Sequence, residues 1–190
     1  FARRQASLVL CCYPDNDLYR ALSPVPCYST PEQAIHHARP GSGVLLLAGG
    51  FPENLRAQAR KKNLRVYVEV TSPEKPSIAN RERAVVTSSF FGEALPPMSI
   101  LSLHSCRYLP LSGGKIHLTL AKVAGFDKAI YGLPPQTYPL LVEHESEQLL
   151  IASASLSRFV TARYGPSAAW IVVWQQILRW LIDRQDIAVQ

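Results

Sequence analysis

Strand and helix signals alternate over the first 70 residues, and this alternation limits the folds that the chain can adopt. Three short apolar runs predict buried strands: SLVLCCY (7–13), GVLLLAGG (43–50) and LRVYVEV (64–70). Between them, TPEQAIHHAR (30–39) begins with the helix-start residues Thr30 and Pro31, and PENLRAQARKKN (52–63) predicts a second helix. Because strands joined through helices pair in parallel by right-handed crossovers, this half predicts an α/β fold.

The second half of the chain is richer in strand patterns. They are RAVVTSSFFG (83–92), ILSLHSCRYLPL (100–111), KIHLTLAKVAGF (115–126) and PLLVEHESEQLLIASA (139–154), the last interpreted as two strands around a polar turn. A final helix is predicted in GPSAAWIVVWQQILRWL (165–181), with Ser167 as its cap. Its apolar stripe of Trp170, Trp174, Ile177 and Leu181 predicts packing on the sheet.

Length and composition favour one domain with a full core. The chain has 190 residues, of which 47% are hydrophobic and 18% charged, so disorder is excluded. We predict a single domain over residues 1–182 and a linker to a possible further domain beginning at 183–190. The sequence begins at Phe1 instead of Met, from which we expect a processed or excised piece.

The net charge of +6 permits nucleic-acid binding, but the basic residues are scattered. Their densest run, 56–62, fits the solvent face and C-terminal end of a helix, where cations complement the helix dipole. We therefore predict no nucleic-acid partner. The apolar run 168–182 is interrupted by Gln175, Gln176 and Arg179, so no membrane span is predicted.

The four cysteines, Cys11, Cys12, Cys27 and Cys106, contain no CxxC pair, so no zinc site is predicted, nor any other metal or cofactor. The adjacent Cys11 and Cys12 would point to opposite faces of a strand. A bridge between Cys12 and Cys27 suits an exported protein, but the sequence leaves it open.

Candidate binding residues are sought at strand ends, because an open parallel sheet binds ligands beyond the carboxyl ends of its strands. These ends fall at 12–14, 49–51, 69–71 and 88–91. The turn of Gly49 and Gly50 can present N–H groups to an anion at a helix start, or can simply need glycine for a positive φ. Glu69 interrupts an apolar strand, which places its charge either at a solvated rim or in a cleft.

Other polar residues support weaker hypotheses. Arg158, Arg163 and Tyr164 could hold a carboxylate or a sugar ring, or could pin a loop. No GxSxG motif is present, so the candidate nucleophiles are Cys12 and Cys106, the second of which lies beside His104 in the sequence. The acidic residues of the polar turn, Glu143, Glu145 and Glu147, are interpreted as a solvated hairpin.

Segments of the chain resemble the class I glutamine amidotransferase-like superfamily, above all its ThuA-like and carbohydrate-associated branches. They are GSGVLLLAGGFPENL (41–55), LRVYVEV (64–70), RAVVTSSFFG (83–92), AKVAGFDKAIYGLP (121–134) and 139–181. The last segments also look like a domain at the front of large exported bacterial glycan-degrading proteins. The resemblance implies a flavodoxin-like three-layer α/β sandwich with a mainly parallel central sheet and an added β-rich stretch.

The catalytic residues of that superfamily do not carry over. Gly49 and Gly50 match its oxyanion-hole turn, but Glu69 stands about where its cysteine nucleophile would be, without flanking glycines. No late His–Glu pair is recognisable. A carboxylate cannot replace a thiolate in forming and releasing the thioester that glutamine hydrolysis requires. We therefore expect no catalytic residue from this comparison.

The resemblance implies a non-catalytic accessory domain of a periplasmic or exported bacterial carbohydrate-processing protein. Such a domain would pack on a neighbouring catalytic domain of the same polypeptide or bind glycan at the strand-end cleft. The cleft candidates are Gly49, Gly50, Phe51, Glu69, Phe91, Asp127, Arg158, Arg163 and Tyr164. Two alternatives stay open: an active hydrolase or amidotransferase, and a purely structural protein-interaction domain.

Overall fold

A computed structural model describes residues 8–22, 24–70, 77–79, 82–103, 106–158 and 168–182. The strands are β1 (Leu8–Cys11), β2 (Cys27–Tyr28), β3 (Gly43–Leu46), β4 (Arg65–Glu69), β5 (Ser77–Ala79), β6 (Arg83–Val86), β7 (Ile100–Leu101), β8 (Cys106–Tyr108), β9 (Lys115–Ala121), β10 (Tyr138–His144) and β11 (Leu149–Ala152). The α-helices are α1 (Asp17–Leu22), α2 (Pro31–His37), α3 (Glu53–Lys61) and α4 (Ala168–Ile182).

In the described part of the chain, nine strands form one sheet in the order β2-β1-β3-β4-β11-β10-β9-β6-β7. The first five are parallel, and their order corresponds to the 2-1-3-4-5 order of flavodoxin-like folds, with β11 in the fifth place. Beyond β11 every pairing is antiparallel. The flavodoxin-like α/β fold and its added β-rich stretch are therefore confirmed.

Helices cover both faces of the parallel strands, which gives the expected three layers. Alternate strand residues point to opposite faces. Val44 and Val66 pack with α2 and α3 on one face, whereas Leu45 and Tyr67 pack with α1 and α4 on the other. Most residues of these parallel strands are apolar because both faces of the sheet are buried there; Arg65 and Glu69, at the two ends of β4, are the charged exceptions.

Local signals locate the elements of the first half well. Thr30 caps α2 by accepting a hydrogen bond from the backbone N–H of Gln33, and Pro31 occupies the first helical position. The short elements α1, β2 and β5 were not apparent in the sequence pattern. The apolar segment 100–111, expected to be one strand, instead divides into β7 in the main sheet and β8 in a separate pair with β5.

Strand direction corrects one expectation about the site. Because β6 pairs antiparallel with β9, it runs opposite to β4 and ends at the other end of the sheet. We call the end at which β1, β3, β4 and β11 finish the carboxyl end, and the opposite one the amino end. Residues 88–91, including the cleft candidate Phe91, thus lie at the amino end and not beside Glu69.

The predicted apolar stripe of α4 is confirmed. Trp170, Trp174, Ile177 and Leu181 are buried, and the predicted cap Ser167 lies outside the described residues. Leu181 lies against Gly43, where an added Cβ would come within 2.8 Å of the Leu181 Cβ. No helix among the described residues is long and apolar enough to cross a membrane.

Truncation of Ile177 should therefore destabilise the domain much more than truncation of Ile171 in the same helix. Ile177 is completely buried, whereas Ile171 is 51% exposed. We expect Ile177→Ala to lower the free energy of unfolding by about 2–5 kcal/mol, and Ile171→Ala by less than about 1 kcal/mol. Urea denaturation measures both; equal losses would contradict the docking of α4 on the sheet.

Candidate functional site

At the carboxyl end, the Glu69 side chain is buried and accepts three hydrogen bonds. The Tyr67 hydroxyl donates to Oε2 at 2.8 Å, the Ser157 backbone N–H donates to the same oxygen at 2.8 Å, and the Ser157 hydroxyl donates to Oε1 at 2.6 Å. Tyr67 and Glu69 share one face of β4 because they are two residues apart. The carboxylate therefore joins the central strand to the segment that follows β11.

Ser157 extends this junction to the helices. Its hydroxyl accepts a hydrogen bond from Asn16 Nδ2 at 2.9 Å, and its carbonyl accepts one from the Leu18 N–H. Asn16 also caps α1 through the Tyr19 N–H. The Trp174 indole of α4 donates to the neighbouring carbonyl of residue 156 at 3.1 Å. One buried polar cluster thus fixes β4, α1 and α4 together.

Burial controls the electrostatics of this cluster. Removal from water is the largest effect on Glu69 and raises the pKa of its carboxyl from 4.5 to about 7, although the hydrogen bonds from Ser157 and Tyr67 oppose the rise. Burial and the nearby Glu69 also raise the pKa of the Tyr67 hydroxyl. At the surface, Arg158 forms an ion pair with Asp15 at 3.2 Å.

The glycine turn after β3 has a conformational and a steric requirement. Gly49 and Gly50 both have positive φ angles, 81° and 73°. A Cβ on Gly49 would come within 2.8 Å of the Pro31 ring, so this glycine lets the turn approach α2. Gly50 has open space around it. Phe51 packs against the α2–α3 face, with the Arg56 guanidinium over its ring, and so lies on the opposite face from Glu69.

The structure brings together only part of the predicted cleft. Glu69 and Arg158 are near enough for the positive charge to lower the pKa of the carboxyl. Asp127 is exposed, at the carboxyl end but in the antiparallel half. Arg163 and Tyr164 lie outside the described residues. Among the residues that are described, no three His, Cys, Asp or Glu side chains form a metal-binding group.

The amino end holds a second polar cluster, which the sequence pattern does not predict. Ser88 Oγ lies 2.6 Å from His117 Nδ1, and His117 Nε2 lies 2.7 Å from Glu143 Oε1. The Trp180 indole donates to the other oxygen of Glu143 at 3.3 Å. Glu143 is thus not part of a solvated hairpin, because its carboxylate is occupied by a histidine and a tryptophan.

A β-bulge creates this cluster. Leu141 and Val142 are consecutive in β10, but their partners in β9 are Leu118 and Ile116, so His117 is the extra residue. The His117 ring stacks on Phe90, which packs against the same core as α4. In a regular strand, His117 would lie on the face of the sheet opposite to that of Leu118. The sequence pattern of β9 therefore does not predict that His117 joins this cluster.

We call the chain of hydrogen bonds from Ser88 through His117 to Glu143 the relay, and burial determines the protonation states of its members. His117 is 1% exposed, and desolvation lowers the pKa of its imidazole in spite of the hydrogen bond to Glu143. The neutral ring donates Nε2–H to the carboxylate, which can only accept, and Nδ1 accepts the Ser88 hydroxyl proton. The Ser88 oxygen in turn accepts the Phe90 N–H at 3.2 Å. The relay has the order of a Ser–His–Glu triad and is held in a closed network.

An exposed apolar loop at residues 122–137 joins β9 to β10 at the carboxyl end. Phe126, Ile130 and Tyr131 are 95%, 73% and 86% exposed. The backbone of this loop is nevertheless fixed. Arg83 donates to the carbonyl of Gly125, and the Ala129 N–H donates to the carbonyl of residue 98. The loop therefore presents large apolar side chains to solvent from a fixed backbone.

Comparison with known proteins adds little. No family model matches the chain, and no curated protein matches it. The chain is similar to a solved structure titled "Structure of PurLQS from Thermotoga maritima", with 14% sequence identity and a TM-score of 0.47 over 93% of this chain and 99% of that chain. So remote a similarity says nothing about activity, and the fold class rests on the strand order.

Because its pKa is raised in the folded protein, the titration of Glu69 should lower the free energy of unfolding as the pH rises. Between pH 4.5 and about 7 the folded protein retains a proton that the unfolded chain releases, so its contribution is complete below pH 4.5 and is lost through pH 7. The loss amounts to roughly 3 kcal/mol. Urea denaturation across this pH range should show that the free energy of unfolding of the wild type falls by this amount relative to that of Glu69→Gln. His117 titrates with the opposite effect in both proteins, so its contribution cancels in the comparison.

A second variant tests the same assignment if Glu69→Gln fails to fold. Tyr67→Phe removes a donor that lowers the pKa of Glu69, so the decline in stability should extend to higher pH. Identical profiles for wild type and both variants would show that Glu69 does not titrate in this window.

Proposed function

We propose that this chain is a non-catalytic accessory domain that docks on a neighbouring domain of the same polypeptide. The observation that carries the proposal is the exposed apolar loop 122–137. Aromatic side chains are enriched in protein interfaces, and a few of them supply most of the binding energy. Phe126 and Tyr131 lie in a loop whose backbone is already fixed, so docking would cost little conformational entropy.

The environment of Glu69 supports a proposal without amidotransferase chemistry. Where the resemblance leads one to expect a nucleophile, Glu69 is buried and both of its oxygens accept hydrogen bonds. A carboxylate occupied in this way has no free oxygen facing solvent with which to attack a substrate. The close approach of Gly49 to Pro31 gives the glycine turn a packing role that needs no oxyanion.

The docking proposal predicts that Phe126→Ser with Tyr131→Ser weakens association with the neighbouring domain at least about tenfold. Thermal stability should change little, because both side chains are exposed in the isolated domain. Calorimetry with the two domains expressed separately measures the affinity, and Ile171→Ser, an exposed apolar change on α4, is the matched control. Unchanged affinity in the double variant would refute docking through this loop.

Carbohydrate processing and export complete the proposal, and both rest on the sequence resemblance alone. We propose that the full protein is a periplasmic or exported bacterial protein that processes carbohydrate. A glycan at the strand-end cleft would then lie near Gly50 and Arg158. Isothermal titration with oligosaccharides tests this part separately, because glycan binding lost in Arg158→Ala but kept in the loop variant would favour the cleft over the docking loop.

Ester hydrolysis is a second candidate function, favoured by the distances in the relay. Ser88 Oγ would attack an acyl carbonyl while its proton passes to His117 Nδ1, and Glu143 would stabilise the imidazolium. The imidazolium gives this proton to the leaving alcohol oxygen as the ester bond breaks; His117 then takes a proton from the water that attacks the acyl-serine and returns it to Ser88 as the acid is released. The burial of His117 and the hydrogen bond from Phe90 to Ser88 favour a purely structural relay, which is why docking is our main proposal.

An esterase assay decides between these functions. With p-nitrophenyl acetate, the accessory-domain proposal predicts no turnover above that of buffer alone. Hydrolase activity would instead appear as turnover that falls by at least about 10³-fold in Ser88→Ala. Ser89→Ala, a change at the exposed neighbour of Ser88, is the control and should leave any such turnover intact.

A further inference from the structure

Two thiols near the carboxyl end lie closer together than unbonded sulfur atoms normally do. Cys12 Sγ and Cys27 Sγ are 2.8 Å apart, only about 0.8 Å beyond a disulfide bond length. The register of β1 and β2 explains the approach. Cys27 is paired with Leu10, and Cys12 follows two residues later on the same face, so the two side chains are diagonal neighbours.

The third described thiol is directed elsewhere. Cys11 points to the opposite face, where its Sγ donates to the carbonyl of Ala48, and burial raises the pKa of this thiol to about 11. Strand alternation thus selects Cys12 over its neighbour Cys11. Cys27 is half-buried and Cys12 is almost completely buried, so Cys27 is the sulfur that a reagent reaches first.

We propose that Cys12 and Cys27 form a disulfide when the protein meets a low-molecular-weight disulfide such as oxidised glutathione. The Cys27 thiolate attacks the small disulfide, which gives a mixed disulfide and releases one small thiolate. The Cys12 sulfur, after losing its proton, attacks Cys27 Sγ and releases the second. The two protein thiols are oxidised, the small disulfide is reduced to two thiols, and the protons go to the thiolates released.

The bond would stabilise the edge of the sheet at its carboxyl end. β2 is a two-residue edge strand, and the bridge would close a loop of 15 residues that contains α1. The loop after Cys12 also supplies Asp15 to Arg158 and Asn16 to Ser157. Oxidation would therefore limit the motion of the segment that holds the buried cluster around Glu69, independently of any docking or catalytic function.

Mass spectrometry of the full chain tests the site. After treatment with oxidised glutathione, denaturation in alkylating reagent and tryptic digestion without reduction, we expect the peptide 5–20 joined to the peptide 21–56, since trypsin does not cleave between Arg39 and Pro40. Because Cys11 and Cys12 lie in the same peptide, cysteine variants are needed to identify which of the two forms the link. The link should persist in Cys11→Ala and disappear in Cys12→Ala, and Cys106 should remain alkylated in its own peptide.

Thermal denaturation supplies the second readout. Closure of a 15-residue loop should raise the Tm of the oxidised protein by about 6–12 °C over the reduced protein. Cys27→Ser should show no such difference between oxidising and reducing conditions. Alkylation of both Cys12 and Cys27 after oxidation, or persistence of the link in Cys12→Ala, would overturn the proposal.

Discussion

The buried carboxylate of Glu69 is the interaction on which the arrangement of the carboxyl end depends. A carboxyl group removed from water is stable only when its oxygens are hydrogen-bonded, and among the described residues Tyr67 and Ser157 supply three donors. Ser157 can do so only if the segment after β11 crosses over β4. That crossing in turn brings Asn16 and the Trp174 indole into place, so α1 and α4 take their positions around one polar cluster.

The two ends of the sheet then differ in character. The carboxyl end combines a closed polar cluster, a glycine turn set against α2 and an exposed apolar loop whose backbone is hydrogen-bonded. The amino end carries the Ser88–His117–Glu143 relay, which lies between β9, β10 and α4. Both clusters rigidify the junction between the sheet and α4, since one reaches Trp174 and the other Trp180.

Much of the fold could be predicted because its signals are local. Thr30 and Pro31 mark a helix start whatever surrounds them, and apolar runs between helices imply parallel strands. The direction of β6 depends on pairing with β9, a contact distant in sequence, so residues 88–91 were expected at the wrong end.

The site was harder to predict because it depends on small departures from regular geometry. A single extra residue in β9 turns His117 toward Ser88 and Glu143, and no sequence period reveals a bulge. Glu69 stands out in the sequence because it interrupts an apolar strand, but its side chain is at neither a solvated rim nor an open cleft, since it is buried in a hydrogen-bonded cluster. Its partner Ser157, 88 residues away, could not be identified without the structure.

Amide hydrogen exchange of Ser157, followed by NMR, tests the central claim that Glu69 is a structural tie and not a reactive group. The account predicts that the Ser157 N–H of the wild-type protein exchanges as slowly as the core amides of β4, because Glu69 Oε2 accepts its proton in a buried cluster. Exchange should accelerate strongly in Glu69→Ala, while the amides of β3 remain protected. Rapid exchange of Ser157 in the wild type, at the rate of an amide that is fully exposed to solvent, would contradict the account.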